Sequence, residues 1–187
     1  LALAAQRQRH AVEELVRLSP ADGIVCGLGE IDGTRAMVLA YDYTVFAGTQ
    51  GLHSHQKLDR MLALAKEHRV PVVLFAEGGG GRPNDVDMQT VAGLDTPSFL
   101  ACAALSGLVP RIGIVSGRCF AGNAALLGCC DVIIATEDSN IGMGGPAMIE
   151  GGGLGTFKPE AIGPIDVQTK NGVVDVSVGD LRDAQGN

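Results

Sequence analysis

The chain has 187 residues, with 14 Lys and Arg against 21 Asp and Glu for a net charge of −7, and 46% of its residues are hydrophobic against 19% charged. That length and apolar share give one ordinary globular domain and exclude a disordered chain, while an acidic balance without a basic run argues against a nucleic-acid surface. No stretch reaches the roughly 18 apolar residues of a membrane helix, and no apolar leader precedes a cleavage site, so the expectation is a cytoplasmic protein with no membrane partner.

Leu3 to Leu18 reads as an amphipathic helix with Val12, Leu15 and Val16 on one side, stopped by Ser19-Pro20; residues 1–20 are expected as an N-terminal helix or arm. Ile24 to Ile31 and Arg35 to Tyr41 flank Asp32-Gly33, a strong hairpin signal. Leu52 to Arg69 carries Leu58, Met61, Leu62 and Ala65 at helical spacing, with Pro71 just beyond. Val72 to Phe75 is a short apolar run, as in a strand buried on both faces, and it empties into Glu77-Gly78-Gly79-Gly80-Gly81-Arg82. Pro97 to Leu108 reads as a helix and Ile112 to Val115 as a buried strand. The small-residue turn Gly117 to Asn123 follows and leads into a helix from Ala124 to Leu127. The strand Val132 to Ala135 precedes another small-residue turn, Asn140 to Pro146. From Gly151 the chain reads as loop-rich, with a last strand in Val173 to Val178 and a polar tail over residues 179–187. Three strand, turn and helix units imply parallel strands with helical crossovers, in a single domain over residues 1–187.

Glycine is the outlier, 27 of 187 residues, about twice the usual share of about 7%. The run Gly78 to Gly81 follows a strand, so its N–H groups form either a nest for an anion or developing oxyanion, or simply a flexible turn. It is no Walker loop, lacking Gly-Lys-Ser or Gly-Lys-Thr, and no dinucleotide fingerprint. The second turn puts Ala121 and Gly122 at a helix start, where free N–H groups favour negative charge. Close helix–strand packing is the plainer account of the same small residues.

Side-chain chemistry has thinner support. Cys119 stands where a nucleophile elbow would carry serine, and such a cysteine is more often a buried apolar residue. Five cysteines, with Cys129 and Cys130 adjacent, argue for reduced thiols and against a zinc site. His53 and His55 lie two apart, on different faces of a helix, and make a poor metal pair. Lys57 and Arg60 lie on the long helix, while Arg82, Arg111 and Arg118 flank the glycine turns or their strands; one or two are expected to meet phosphates and most to be solvated or paired. Glu77 and Glu150 adjoin glycine turns but are weak acid/base candidates.

Taken together the motifs resemble the carboxyltransferase component of biotin-dependent acyl-CoA carboxylases, specifically the N-terminal half of its two-part, crotonase-like catalytic unit, from about Gly23 to Val178. Tyr43-Thr44-Val45-Phe46-Ala47-Gly48 resembles the family's aromatic-Thr-Val-Phe-Gly-Gly stretch, and Lys57 falls on a family lysine. Pro71 to Arg82 resembles a strand ending in Asp-Ser-Gly-Gly-Ala-Arg. Gly117-Arg118-Cys119-Phe120-Ala121-Gly122 resembles Gly-Pro-Cys-Ala-Gly-Gly, with Asp131 at the family spacing, and Ser139 to Pro146 resembles the strand before a Gly-Pro turn. Gly81 replaces an alanine, Ala121 the first glycine of a pair, and Asn123 a small apolar residue. A backbone N–H survives each change. The Glu-Gly-Gly-Gly-Gly-Arg variant is most similar to large carboxylases that carry several catalytic domains on one chain.

The resemblance implies a crotonase/ClpP-like spiral of ββα units, with residues 21–178 as the N-terminal carboxyltransferase subdomain. It implies carboxyl transfer from carboxybiotin, on a separate carrier domain, to the α-carbon of an acyl-CoA such as acetyl-CoA, propionyl-CoA or a longer thioester. The enolate would be held by a backbone oxyanion hole at Gly81 and Gly122, with Gly80 and Ala121 as neighbours. Substrate contacts are expected from Lys57, Arg82, Gly79, Gly144 and Gly145, with no metal. The implied partners are acyl-CoA, the C-terminal carboxyltransferase half, the biotin carrier and biotin carboxylase units, and further copies in a homo-oligomer. A chain that begins with Leu1 and contains one half of the unit is expected to be a piece that transfers nothing alone. The competing readings are a biotin-independent crotonase-like hydratase, isomerase or hydrolase, which would need Glu77 or Glu150 at the hole, a biotin-dependent decarboxylase subunit, and a non-catalytic assembly domain. A serine peptidase of related shape is excluded by Ala121 at the nucleophile position.

Overall fold

The computed structural model describes residues 12–82 and 97–180. Of the expected N-terminal helix only α1 (Val12–Leu18) falls within them, and most of the polar tail lies outside. The hairpin follows the sequence closely. β1 (Ile24–Ile31) and β2 (Thr34–Tyr41) pair antiparallel, Ile24 opposite Tyr41 through to Ile31 opposite Thr34. Asp32 and Gly33 both take positive φ, 49° and 76°, as the tight right-twisted hairpin turn requires.

α2 (Leu52–His68) buries Ser54, Leu58, Leu62 and Ala65, a stripe at helical spacing that packs on β1 and β2. Its first turn is closed by Ser54, whose Oγ accepts from the Gly51 N–H at 2.8 Å, and by Asp22, which accepts from the Ser54 N–H at 2.8 Å. Arg69 ends it in a left-handed conformation, φ 53°, before Pro71 forbids continuation.

β3 (Val72–Phe75), β4 (Arg111–Val115), β6 (Val132–Thr136) and β8 (Val176–Val178) extend the sheet in parallel, giving the order β1-β2-β3-β4-β6-β8. α3 (Ser98–Ala103) leads into β4 and packs against α2. The core between sheet and helices holds Met37, Leu39, Leu58, Leu62, Leu74, Leu105, Val115 and Leu127, all at most 2% exposed. Truncating one of these, such as Leu62→Ala, costs about 2–5 kcal/mol.

Two segments read as turns contain short strands. β5 (Arg118–Phe120) and β7 (Asn140–Gly142) pair in parallel as a second small sheet, followed by α4 (Gly122–Leu127) and α5 (Pro146–Gly151) respectively. The chain therefore runs twice through strand, short strand, helix, which is the ββα repeat. The stretch read as loop-rich after Gly151 carries α6 (Ile165–Lys170), whose Ile165 is 2% exposed and reaches the core.

Candidate functional site

After Phe75 the chain leaves the main sheet, and Glu77 to Arg82 runs between two other segments. On one side Gly78 exchanges hydrogen bonds with β5: its N–H donates to the Arg118 carbonyl at 2.7 Å, and the Phe120 N–H donates to the Gly78 carbonyl at 2.8 Å. On the other side the Gln50 N–H donates to the Gly80 carbonyl and the Arg82 N–H to the Gln50 carbonyl, each at 2.7 Å. The glycine run is thus an extra strand-like rung between Gln50 and β5. Gly80 stands at φ 88°, and an added Cβ would lie 2.5 Å from the Cβ of Ala121 and 3.3 Å from the Gly122 nitrogen. The two turns touch at that point.

The N–H groups of the two neighbours of the expected hole are committed within the protein. The Gly80 N–H donates to Asn123 Oδ1 at 3.0 Å, and the Ala121 N–H donates to the Gly142 carbonyl at 2.9 Å. Among the described residues no acceptor is bonded to the N–H of Gly81 or of Gly122. Peptide planarity sets where these two point. The Gly80 carbonyl is held by Gln50, so the Gly81 N–H in the same plane faces the opposite way. The Ala121 carbonyl accepts from Ala125 at 2.9 Å, so the Gly122 N–H faces out from the start of α4. Two unengaged donors on touching turns suit an oxygen that gains negative charge. Ala121 makes the corner with φ 50° and ψ −119°, a conformation that strains a residue with a Cβ by about 1–3 kcal/mol.

The basic candidates are held against the protein. Arg82 is 11% exposed; it pairs with Asp22 at 2.8 Å, donates to the Thr49 carbonyl at 3.0 Å, and lies 5.0 Å over the Phe46 ring. Lys57 Nζ donates to the carbonyls of Ala21 and Ile24, each at 2.5 Å. Arg111, 4% exposed, forms a two-pronged pair with Asp131, and Arg118 pairs with Glu160. These contacts brace loops and strand ends.

Gly79 is exposed and donates to the Ala47 carbonyl at 2.9 Å. Gly145 precedes α5 and packs on Phe120, where an added Cβ would lie 3.5 Å from the ring; Gly144 adjoins Met148. Glu77 turns one carboxylate oxygen to the Ser116 N–H at 2.6 Å, and Glu150 is exposed on α5. Cys119 is fully buried in β5, and burial pushes its thiol pKa well up, so it stays a neutral apolar side chain. Burial likewise pushes Cys102 and Cys130 up to about 12. His55 shares a hydrogen bond with Ser98 Oγ at 2.8 Å, which donates to Asp59 at 2.5 Å, joining α2 to α3. No group of three or more potential metal ligands occurs among the described residues.

Two participants are not expected from the sequence, where Asn123 stands out only as a departure from a small apolar residue and Gln50 not at all. Asn123, completely buried, bonds the glycine run from the second residue of α4. Gln50, 4% exposed, donates from Nε2 to the Tyr41 hydroxyl at 3.2 Å and brings Oε1 to within 2.3 Å of where a Cβ on Gly122 would stand. Neither side chain belongs to a periodic pattern, and the partners of Asn123 lie 43 and 75 positions away along the chain.

The family model described as carboxyl transferase domain matches residues 3–185. The methylmalonyl-CoA carboxyltransferase 12S subunit of Propionibacterium freudenreichii subsp. shermanii is 32% identical over 136 residues, covering 70% of this chain and 25% of that protein. The carboxyltransferase subunit of the Haloferax mediterranei propionyl-CoA carboxylase is 30% identical over 132 residues, with 70% and 25% covered. Among solved structures, a single-chain, multi-domain long-chain acyl-CoA carboxylase superposes with TM-score 0.87 at 59% identity, over 95% of this chain and 18% of that one. The chain spans about a quarter of the length of the curated relatives it matches, 25–26% for the first three.

Proposed function

The chain belongs to the carboxyl transferase domain family, and on that premise we propose that it forms the acyl-CoA-binding half of a biotin-dependent acyl-CoA carboxyltransferase. The observation that carries this reading is the pair of unengaged N–H groups at Gly81 and Gly122, on turns that touch at Gly80. Loss of an α-proton from an acyl thioester puts negative charge on the thioester oxygen. Donors fixed in advance stabilise that charge, and each is worth about 10²–10³ in rate. Carboxybiotin on a carrier domain supplies the carboxyl group and a ureido nitrogen to take the proton. The Gly81 and Gly122 N–H groups hold the oxygen, and the bonded carbonyls of Gly80 and Ala121 set the direction of both peptide planes. Gly79 on the glycine run, and Gly144 and Gly145 before α5, are the remaining backbone contacts proposed for the thioester. Residues 21–178 act as the catalytic subdomain, completed by a C-terminal half, and the biotin carrier and biotin carboxylase units are the further partners. The 59% identity to a long-chain acyl-CoA carboxylase supports a substrate range that includes long acyl chains.

The test uses the assembled carboxyltransferase. Gly81→Pro deletes one donor at a position where an added Cβ meets nothing within 4 Å, whereas any Cβ at Gly122 would meet Gln50. Carboxyl transfer to acetyl-, propionyl- or palmitoyl-CoA should fall about 10²–10³-fold, with a much smaller change in calorimetric acyl-CoA affinity. Acyl-CoA turnover by the wild-type enzyme without a biotin carrier would overturn the reading in favour of a hydratase-like activity.

A further inference from the structure

We propose that Asn123 is the positioning residue of this site, its buried carboxamide tying the glycine run to Gly48 and so fixing the direction of the Gly81 N–H. The inference rests on the oxyanion-hole reading above and adds to it the side chain that makes the hole rigid. Asn123 is completely buried; its Oδ1 accepts from the Gly80 N–H at 3.0 Å and its Nδ2 donates to the Gly48 carbonyl at 3.3 Å. One carboxamide thus joins three segments: the glycine run, the turn before α2, and the start of α4.

The run from Gly78 to Gly81 has no side chains with which to pack, and glycine has the largest conformational freedom to lose. Its other restraints, at Arg118, Ala47 and Gln50, are backbone to backbone. Asn123 provides the one side-chain bond to the run among the described residues, so it is the restraint that evolution or a mutation can change. Gly80 is where it acts. At φ 88° a glycine has an alternative at negative φ of similar energy, and the bond from its N–H selects between the two. Rotation there would turn the next peptide plane, which carries the Gly81 N–H and is otherwise held, among the described residues, by the Gln50 N–H bond to the Gly80 carbonyl, so the Asn123 bond is the second restraint on its direction. Asn123 therefore acts through Gly81 and touches no substrate.

The experiment reads the infrared stretch of an isotope-labelled thioester carbonyl of acyl-CoA bound to the assembled carboxyltransferase, together with kcat and KM for carboxyl transfer. Wild-type enzyme should shift the carbonyl band to lower frequency; no shift would sink the oxyanion-hole reading itself, independently of Asn123. With the wild-type shift present, Asn123→Ala should lose most of it, and kcat should fall about tenfold to a hundredfold, less than deletion of a donor, while KM stays within about threefold. Asn123→Leu keeps the buried volume without the polar atoms, and should behave the same way if the alanine variant does not fold. A folded variant of either kind that retains the wild-type band position and kcat would overturn the proposal.

Discussion

At Gly80 the backbone lies in the left-handed region and a Cβ would press on Ala121, whereas at Gly81 φ lies outside that region and a Cβ would meet open space. Adjacent glycines in one run should therefore respond oppositely to alanine. Gly81→Ala removes freedom from the unfolded chain without native strain and should stabilise by about 0.4–1 kcal/mol. Gly80→Ala should destabilise by about 2–3 kcal/mol, from strain at positive φ and the clash together. Urea midpoints of the two variants check this, and shifts of the same sign would contradict the local geometry. The sequence marks this run as exceptional, but it does not say which of its N–H groups remain open. That depends on Gln50 and Asn123, whose bonds to Gly80 span 30 and 43 positions. Lys57 and Arg82 illustrate the same limit. Their charge and place suggest phosphate contacts, yet both are engaged with the turn at Ala21 and Asp22.

Among the elements, the link between the starts of β4 and β6 depends on Arg111 and Asp131. Asp131 accepts from the Arg111 backbone N–H at 2.8 Å and from its guanidinium, and the Arg111 side chain is bonded as well to the Cys102 carbonyl at 3.2 Å. The guanidinium bonds, more than any other cause, hold the Asp131 carboxyl below its ordinary value. A depressed carboxylate pKa gives stability that is complete above the unfolded value of about 4 and is lost as pH falls through the lower folded value. Asp131→Asn should cost about 0.5–1 kcal/mol at neutral pH, because the half-exposed carboxylate is screened by solvent, and the gap from wild type should close as pH falls below about 4. Thermal melts at neutral and acidic pH measure both; a gap that does not depend on pH would mean that the charge is not what matters. The long elements were legible because their signals are local: the stripe on α2 repeats within its own 17 residues, and Asp32-Gly33 sets the hairpin turn by itself. β5 and β7 have three residues each, too few for an alternating pattern, and they exist through long-range pairing with each other and with Gly78 and Gly163. α6 was hidden for a related reason, since one buried residue anchors its single turn and a half.

For the molecule as a whole, the turn that carries Gly144 and Gly145 continues into an uncovered apolar stretch. Met143, Met148 and Leu154 are 67%, 61% and 74% exposed, and Phe157 is 47% exposed. Scattered exposed apolar residues need no explanation, but four within fifteen positions of one chain segment, beside the proposed thioester site, are what an interaction surface presents. In the proposed enzyme the C-terminal half must come close to Gly81 and Gly122, because the group that donates the carboxyl has to reach the α-carbon of the thioester held there. The apolar segment is the surface it would meet on the way. Met148→Asp combined with Leu154→Asp should weaken association of this chain with the C-terminal half at least about tenfold, since burying an unpaired carboxylate at an interface is strongly unfavourable. Neither residue belongs to the core, so the melting temperature of the chain should change little. Sedimentation of the mixed halves tests this directly. Undiminished association would move the partner to another face, and the two turns would then have to be reached from the side of Gly79, the other exposed edge of the glycine run.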